Sequence, residues 1–287
     1  MKAYLLYKKT NSNFSYQVYS YLKNYLLSIG DEISSSIDEA DYVITFYCEE
    51  DSSILSSVDK KKVKILALLD SFSYSYYSHK LFLSQGVVNC LSNVSEVLVF
   101  STLDKQLLIK NNITSKITVI PVLYNNFNNN LSGIEKVAFR RFFQVDIDKK
   151  LIVSFGSYLD NKDYLLFDAL IRNTADCQFI YIGENYQELK KKSLQERLNN
   201  PSNIININSL PQELYSSMIY SIDAVLITSK VISYPTVLFD FISNNKEIIL
   251  NDNFNMKDVF NSSNCKIGHN YESIFHLIKD VEVKNKY

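Results

Sequence analysis

The sequence of 287 residues holds no tryptophan, only six glycines and four cysteines, and just three histidines. Each scarcity closes a route. The histidines have no partner at metal-ligand spacing, and Cys48, Cys90, Cys177 and Cys265 lie far apart without a CxxC pair, so no zinc site is expected. Some of these cysteines flank or sit in strand-like runs, which reads as small core residues in a reducing compartment rather than a disulfide framework. No run approaches the ~18 uncharged apolar residues of a membrane-spanning helix. The opening "MKAYLLYKKTNSNF" has too short an apolar stretch for a signal peptide, so the expected location is cytoplasmic. An excess charge of one sign is missing too: 30 Lys and Arg stand against 31 Asp and Glu, for a formal net charge of -1. Lysines and acids also balance within the first 125 residues, so neither half offers the broad basic surface that nucleic acid requires. Lysine runs at 60–62 and 190–192 read as solvated faces, with weak docking on anionic lipid, peripheral to the inner face of a membrane, as the alternative.

What is present is an alternation. Short β-branched runs recur with helical stretches between them, the pattern of parallel strands and crossover helices in an α/β fold. In the first half the runs are "AYLLY" (3–7), "DYVITF" (41–46), "VKILALL" (63–69), "EVLVFS" (96–101) and "ITVIP" (117–121). Residues 15–30 carry apolar or aromatic residues at Val18, Tyr19, Leu22, Tyr25 and Leu26 and stop at Gly30, one helical stripe with a glycine end. The polar "NNFNNNLSG" (125–133) has no hydrophobic period and reads as a linker. The alternation then restarts with "KLIVSFG" (150–156), "CQFIYIG" (177–183), "NIININ" (203–208), "DAVLIT" (223–228) and "EIILND" (247–252). The expectation is α/β, two Rossmann-like doubly wound domains over 1–125 and 136–287 with a linker at 126–135. Their length is enough for two sizeable cores.

Open parallel sheets bind ligands in the crevice beyond the carboxyl ends of their strands. Two such sheets facing each other would make a central cleft, and the residues just after strands become the candidates: Asp70, Gly156, Ser157, Gly183, Glu184 and Ser229. Gly156 and Gly183 would allow a tight turn or close approach of backbone to ligand. One further acid calls for a reason. Asp240 interrupts the otherwise apolar "VLFDFI", where burial without a partner would be costly. It reads as a ligand contact, against the alternative of a solvent-facing helix residue.

The ordered series "DKKLIVSFGSYLDNKDYLLFDAL", "CQFIYIGE", "NPSNIININSLPQELYSSMIYSIDAVLITS" and "SYPTVLFDFISNNKEIILND" resembles the donor-binding domain of the GT-B glycosyltransferases, specifically the large retaining family (family four, group 1). "EVLVFSTLDKQLLIKNNITSKITVIPVLYNN" resembles the segment that closes the acceptor-side domain. The resemblance covers most of the chain and is strongest from about residue 96 to 252. It implies a metal-independent, retaining hexosyltransferase that needs no cofactor and takes a nucleotide-diphosphate sugar, UDP-linked, as co-substrate. The acceptor would be a saccharide, a lipid or a protein, with bacterial cell-surface glycan or glycolipid synthesis as the setting.

By the same resemblance, Asp240 matches the acid that holds the donor ribose. Tyr234, Pro235, Thr236 and Val237 would present a helix start and its backbone N–H groups to the diphosphate. Lys162 matches the lysine that neutralises the leaving diphosphate, and Glu184 would lie beside the base. Asp70 falls near the polar residue beside the reacting centre. The aromatic tract "DSFSYSYYSHK" (70–80) sits where acceptors are recognised, so Ser71, Tyr74 and His79 are acceptor candidates, with an ordinary tyrosine-rich loop as the alternative. Asn13 in the first loop joins them, or caps the following helix.

Three positions depart from the family pattern. Ser157 stands where the family has an arginine, and Ile232 where it has an acid that contacts the transferred sugar. The first loop, "KKTNSNFSY", lacks the usual glycines. These departures point to the rival reading, a non-catalytic GT-B subunit that binds an acceptor or supports an active partner glycosyltransferase.

Overall fold

A computed structural model of the chain describes residues 1–7, 13–46, 51–59, 62–68, 74–77, 80–120, 132–155, 161–183, 201–229, 235–252, 254 and 256–283. The chain divides into two compact units, Met1–Asn125 and Asn126–Tyr287. The first contains β1 (Lys2–Leu6), α1 (Asn13–Ser28), β2 (Glu32–Ile33), a 3-10 turn (Ile37–Glu39), β3 (Tyr42–Thr45), α2 (Ser52–Ser57), β4 (Lys64–Leu68), β5 (Tyr74–Tyr77), β6 (Lys80–Leu83), α3 (Gln85–Leu91), β7 (Glu96–Val99), α4 (Thr102–Lys110) and β8 (Lys116–Val119). Its six-stranded sheet runs β2-β1-β3-β4-β7-β8, parallel throughout. The second unit contains α5 (Gly133–Phe142), β9 (Lys150–Phe155), α6 (Asn161–Arg172), β10 (Cys177–Ile182), β11 (Ile204–Ile207), α7 (Gln212–Ser221), β12 (Ala224–Ile227), α8 (Pro235–Ser243), β13 (Glu247–Asn251), β14 (Lys266–Gly268) and α9 (Tyr271–Lys279). Its sheet, β11-β10-β9-β12-β13-β14, is again wholly parallel.

Both units are therefore doubly wound α/β sheets, as the alternating runs predict. All ten expected strands are present, within a residue or two of their expected ends. The central strands β9, β10 and β12 are almost entirely buried, because helices cover both faces of a parallel sheet and leave no solvent face to alternate toward. Ile152, Phe167, Leu170, Phe179, Leu226, Ile249, Ile274 and Ile278 belong to one core cluster of the second unit.

Local chemistry sets the helix ends. After α1, Gly30 takes φ +86°, while the N–H of Asp31 reaches the carbonyl of Leu26 at 3.0 Å and that of Gly30 reaches Leu27 at 3.2 Å. This is a Schellman stop, whose left-handed residue is most often glycine. At α5, the Ser132 hydroxyl accepts from the Glu135 N–H, and the Glu135 carboxylate accepts from the Ser132 N–H at 2.8 Å. That capping box satisfies two donors that the first turn leaves over.

Arg140 in α5 locks the second unit from inside. Its Nη2 donates to Asp223 Oδ2 at 2.8 Å, Nε to the carbonyl of Ser221 at 2.9 Å, and Nη1 to the carbonyls of Asp146 and Lys149 at 3.1 Å each. Asp223 Oδ2 also accepts the Leu151 N–H at 2.8 Å. One buried ion pair thereby ties α5 to the amino ends of β9 and β12.

The structure corrects the cysteine reading in part. Cys177 and Cys265 are free and buried, and burial pushes their thiols up to about 11 and about 12, which keeps them protonated and inert. Cys90 in α3 is instead disulfide-bonded. Disulfides depend on distance in space, and the absence of a short CxxC spacing does not exclude a pair assembled by the fold.

In the first sheet, Glu96 Oε1 accepts from the Thr118 hydroxyl and sits 2.9 Å from Lys116 Nζ. The Thr118 hydrogen bond first, then Lys116, holds this carboxyl below its ordinary value. A depressed folded-state pKa makes the contribution complete above the unfolded value of about 4.3, and it fades as pH falls through the folded value. Unfolding of the wild type and Glu96→Gln should therefore differ by a constant amount above about pH 5.5, and the gap should shrink as pH falls below the unfolded value toward the lower folded one. A gap that widens toward acid would contradict this.

Candidate functional site

The order of the second sheet defines where a ligand fits. From β9 the chain winds outward through β10 to β11, then returns to the other side of β9 and winds outward through β12, β13 and β14. The winding reverses between β9 and β12, which makes the carboxyl ends of these two strands a topological switch point, the crevice where open α/β sheets hold ligands.

Two helix N-termini serve that crevice. After β9, α6 begins at Asn161 with Lys162 as its second residue; after β12, α8 begins at Pro235 with Thr236 and Val237 next. Proline fits the first helical position, because its fixed φ suits the helix and its missing N–H is not needed there. The ring of Phe241 in α8 lies 5.9 Å from that of Phe155, the last residue of β9, so α8 leans against the strand that leads to α6. N–H groups and helix dipoles converging at one sheet end favour an anion.

Asp240 lies in the second turn of α8 and is 7% exposed, which removes the solvent-facing alternative. Its Oδ2 accepts a hydrogen bond of 2.5 Å from the hydroxyl of Tyr215 in α7. Its backbone carbonyl accepts from Ser243 Oγ at 3.0 Å and Asn244 Nδ2 at 2.8 Å. Ser229, two residues past β12, is buried together with Thr228, whose carbonyl accepts from Asn251 Nδ2 at 3.4 Å. Gly183, just past β10, has φ +153°, a backbone conformation that side chains disfavour, and its N–H binds the carbonyl of Ile207 at 2.9 Å.

Of the sequence-predicted donor residues, Gly183, Ser229, Pro235, Thr236, Val237 and Asp240, with Lys162, fall at the carboxyl end of this sheet. Gly156, Ser157, Glu184, Tyr234, Asp70, Ser71 and His79 lie outside the described residues, as does Ile232. Asn13 opens α1, which follows β1, and Tyr74 opens β5, where it pairs with Leu83 of β6. The tract read as an aromatic loop thus contains a strand of a two-stranded antiparallel ribbon.

Sequence reasoning missed Tyr215, and it missed an aromatic group in the first unit. That sheet reverses its winding between β1 and β3. Tyr7 directly follows β1 and Phe46 directly follows β3; their rings are 6.0 Å apart, and Tyr19 of α1 stacks on Tyr7 at 4.6 Å. The strand-end rule applied to Tyr7 and Phe46 would have found them.

At the carboxyl ends of β13 and β14, His269 Nδ1 and Asp252 Oδ2 are 2.6 Å apart, with Lys257 Nζ 3.5 Å from Asp252 Oδ1. The His269 hydrogen bond, ahead of the Lys257 charge, holds the Asp252 carboxyl below its usual value. Among the described residues no three of His, Cys, Asp and Glu are grouped to hold a metal ion. No described helix is long and apolar enough to cross a membrane.

Solved structures resemble this chain over nearly its whole length. A glycosyltransferase from Rickettsia africae matches with a TM-score of 0.69 and 13% identity, over 97% of this chain and 87% of the other. HepE from Anabaena, in complex with UDP-glucose, matches with a TM-score of 0.70 and 12% identity, over 97% and 88%. Sucrose-phosphate synthase from Thermosynechococcus elongatus matches with a TM-score of 0.60 and 12% identity, over 95% and 70%. No protein-family model and no curated protein matches the sequence. The two doubly wound units thus have the GT-B fold of glycosyltransferases.

Proposed function

We propose that the protein transfers a hexose from a nucleotide-diphosphate sugar to a saccharide, lipid or protein acceptor. The observation that supports this best is the convergence of two helix N-termini and a buried carboxylate on the switch point of the second unit, in a fold shared with HepE bound to UDP-glucose. Such a site suits the three parts of a nucleoside diphosphate. The N–H groups of Thr236 and Val237 at the α8 start and the ammonium of Lys162 take the diphosphate, Asp240 takes the ribose hydroxyls, and the chain at Gly183 and Glu184 flanks the base. Gly156, Ser157, Ser229 and Tyr234 complete the donor side.

In the reaction the bond from the anomeric carbon to the diphosphate oxygen breaks, an acceptor oxygen bonds to that carbon, and the acceptor's proton passes to the departing diphosphate. The departing diphosphate gains charge, and a lysine with oriented amides stabilises it as it forms. On this reading no metal is needed, configuration is retained, Asp70 lies beside the reacting centre, and Asn13, Ser71, Tyr74 and His79 meet the acceptor. The reaction would take place in the cytoplasm, with peripheral contact at the inner face of a membrane as the alternative, within bacterial cell-surface glycan or glycolipid synthesis.

Ser157 and Ile232 favour a second reading, a GT-B subunit that binds ligand without turnover and supports a catalytic partner, since fold alone does not fix chemistry. Incubation with UDP-glucose, UDP-galactose and UDP-N-acetylglucosamine, following UDP release with and without oligosaccharide or lipid acceptors, separates the two. UDP release stimulated by an acceptor supports the transferase; UDP binding without any release supports the subunit.

A further inference from the structure

We infer that Tyr215 is the positioning residue for the ribose contact: its hydroxyl fixes the Asp240 carboxylate in the orientation that receives the sugar diol of the nucleotide. The inference rests on the proposed donor site and adds to it a residue from a different helix.

The geometry carries the inference in three steps. First, the hydrogen bond from Tyr215 to Asp240 Oδ2, at 2.5 Å, is in the range of charge-assisted O–H···O⁻ bonds, and it bridges α7 and α8. An aspartate has few torsions, so pinning one oxygen also sets the plane of the other. Second, the helix that provides the phenol is itself held rigidly. Ser217 Oγ accepts the Phe139 N–H at 2.8 Å, Lys246 Nζ donates to the carbonyls of Tyr220 and Ile222 at 2.8 Å each, and Arg140 Nε donates to the carbonyl of Ser221. These contacts tie α7 to α5 and to the turn after α8. Third, Tyr215 is the fourth residue of α7, in the first turn of a helix that leads into β12 and so starts at the sheet end where α6 and α8 start. The phenol thus reaches the carboxylate from the end of the unit where the ligand crevice lies, on a helix tied to its neighbours. A group so supported preorganises its partner, and binding then need not order the carboxylate.

A merely structural strut between α7 and α8 would weaken every ligand of the crevice alike, or none; a positioning residue weakens only ligands that carry the diol. The test is calorimetric titration of wild type, Tyr215→Phe, Asp240→Ala and the double variant with UDP, 2′,3′-dideoxyuridine diphosphate and inorganic pyrophosphate, alongside GDP and ADP. Tyr215→Phe should bind UDP about 5–10-fold more weakly, the scale of the net contribution of one ordinary hydrogen bond, and leave dideoxyuridine diphosphate and pyrophosphate within twofold. In the Asp240→Ala background the same change should do nothing further. Equal losses for all ligands, an unchanged UDP affinity in Tyr215→Phe, or additive losses in the double variant would overturn the inference while leaving the donor site in place. Wild-type protein that binds none of the three nucleoside diphosphates would overturn the donor-site reading itself, and the inference with it. Melting temperatures of the variants, compared with wild type, identify any loss that comes from unfolding; Tyr215→Phe keeps the ring and its packing and so preserves the fold.

Discussion

Arg140→Ala should lower the unfolding free energy by about 3–5 kcal/mol, the cost of leaving a buried charge without its partner. Arg140 is 4% exposed and Asp223 wholly buried. The guanidinium serves one buried carboxylate and three backbone carbonyls. Asp223 would remain buried without the guanidinium charge, and a buried ion that loses its counter-ion is costly. Arg140→Lys should lose an intermediate amount, about 2 kcal/mol, because a single ammonium cannot reproduce the planar fork. The pair also bears on the site. Asp223 leads into β12, and its N–H binds the carbonyl of Leu151 in β9 at 2.9 Å, so the same residue sets the two strands whose far ends form the switch point. Urea unfolding measures the effect; a change of less than about 0.5 kcal/mol would contradict the lock, since only solvent-accessible pairs are worth so little.

Lys162→Ala should reduce kcat/KM for the nucleotide sugar by about 100–1,000-fold, roughly 2.7–4 kcal/mol of transition-state stabilisation, the size of losing one donor aimed at developing negative charge. Lys162 is the second residue of α6, at a helix N-terminus of the kind that favours an anion. On the proposed reading, with Ser157 in place of a second cation, the lysine would carry a larger share of the neutralisation than in a two-cation site. Affinity for the product diphosphate should fall less than turnover, because the amides of the α8 start still bind it and the ground state carries less charge at the breaking bond. Lys162→Arg should recover part of the rate. A fall below fivefold in kcat/KM would remove Lys162 from the chemistry.

Most of the fold was legible because buried parallel strands are nearly continuous in β-branched and apolar residues, and "KLIVSF", "CQFIYI" and "AVLI" stand out on that basis alone. The strands that escaped notice are short or peripheral. β2 has two residues and β14 three, too few for a period to register. β5 and β6 pair antiparallel in a ribbon of their own, and the serine and tyrosine content of "YSYY" reads equally as loop. In the site, Asp240 was visible because an acid amid "VLF" and "FI" conflicts with its surroundings, and such conflict marks function or a hidden partner. Its partner was not visible. Tyr215 lies 25 residues upstream on another helix, and no local spacing encodes a contact made only when α7 and α8 pack on the same sheet. The disulfide at Cys90 escaped for the same reason: tertiary proximity leaves no short-range signature.

On the proposed reading one crevice, at the β9/β12 switch point, holds the nucleoside diphosphate of the donor. A crystal structure of the protein with UDP tests it directly. The diphosphate is expected at the N-termini of α6 and α8, within hydrogen-bond distance of the backbone N–H groups of Thr236 or Val237, with the ribose hydroxyls on Asp240. UDP bound away from those helix starts, or bound with its ribose clear of Asp240, would contradict it.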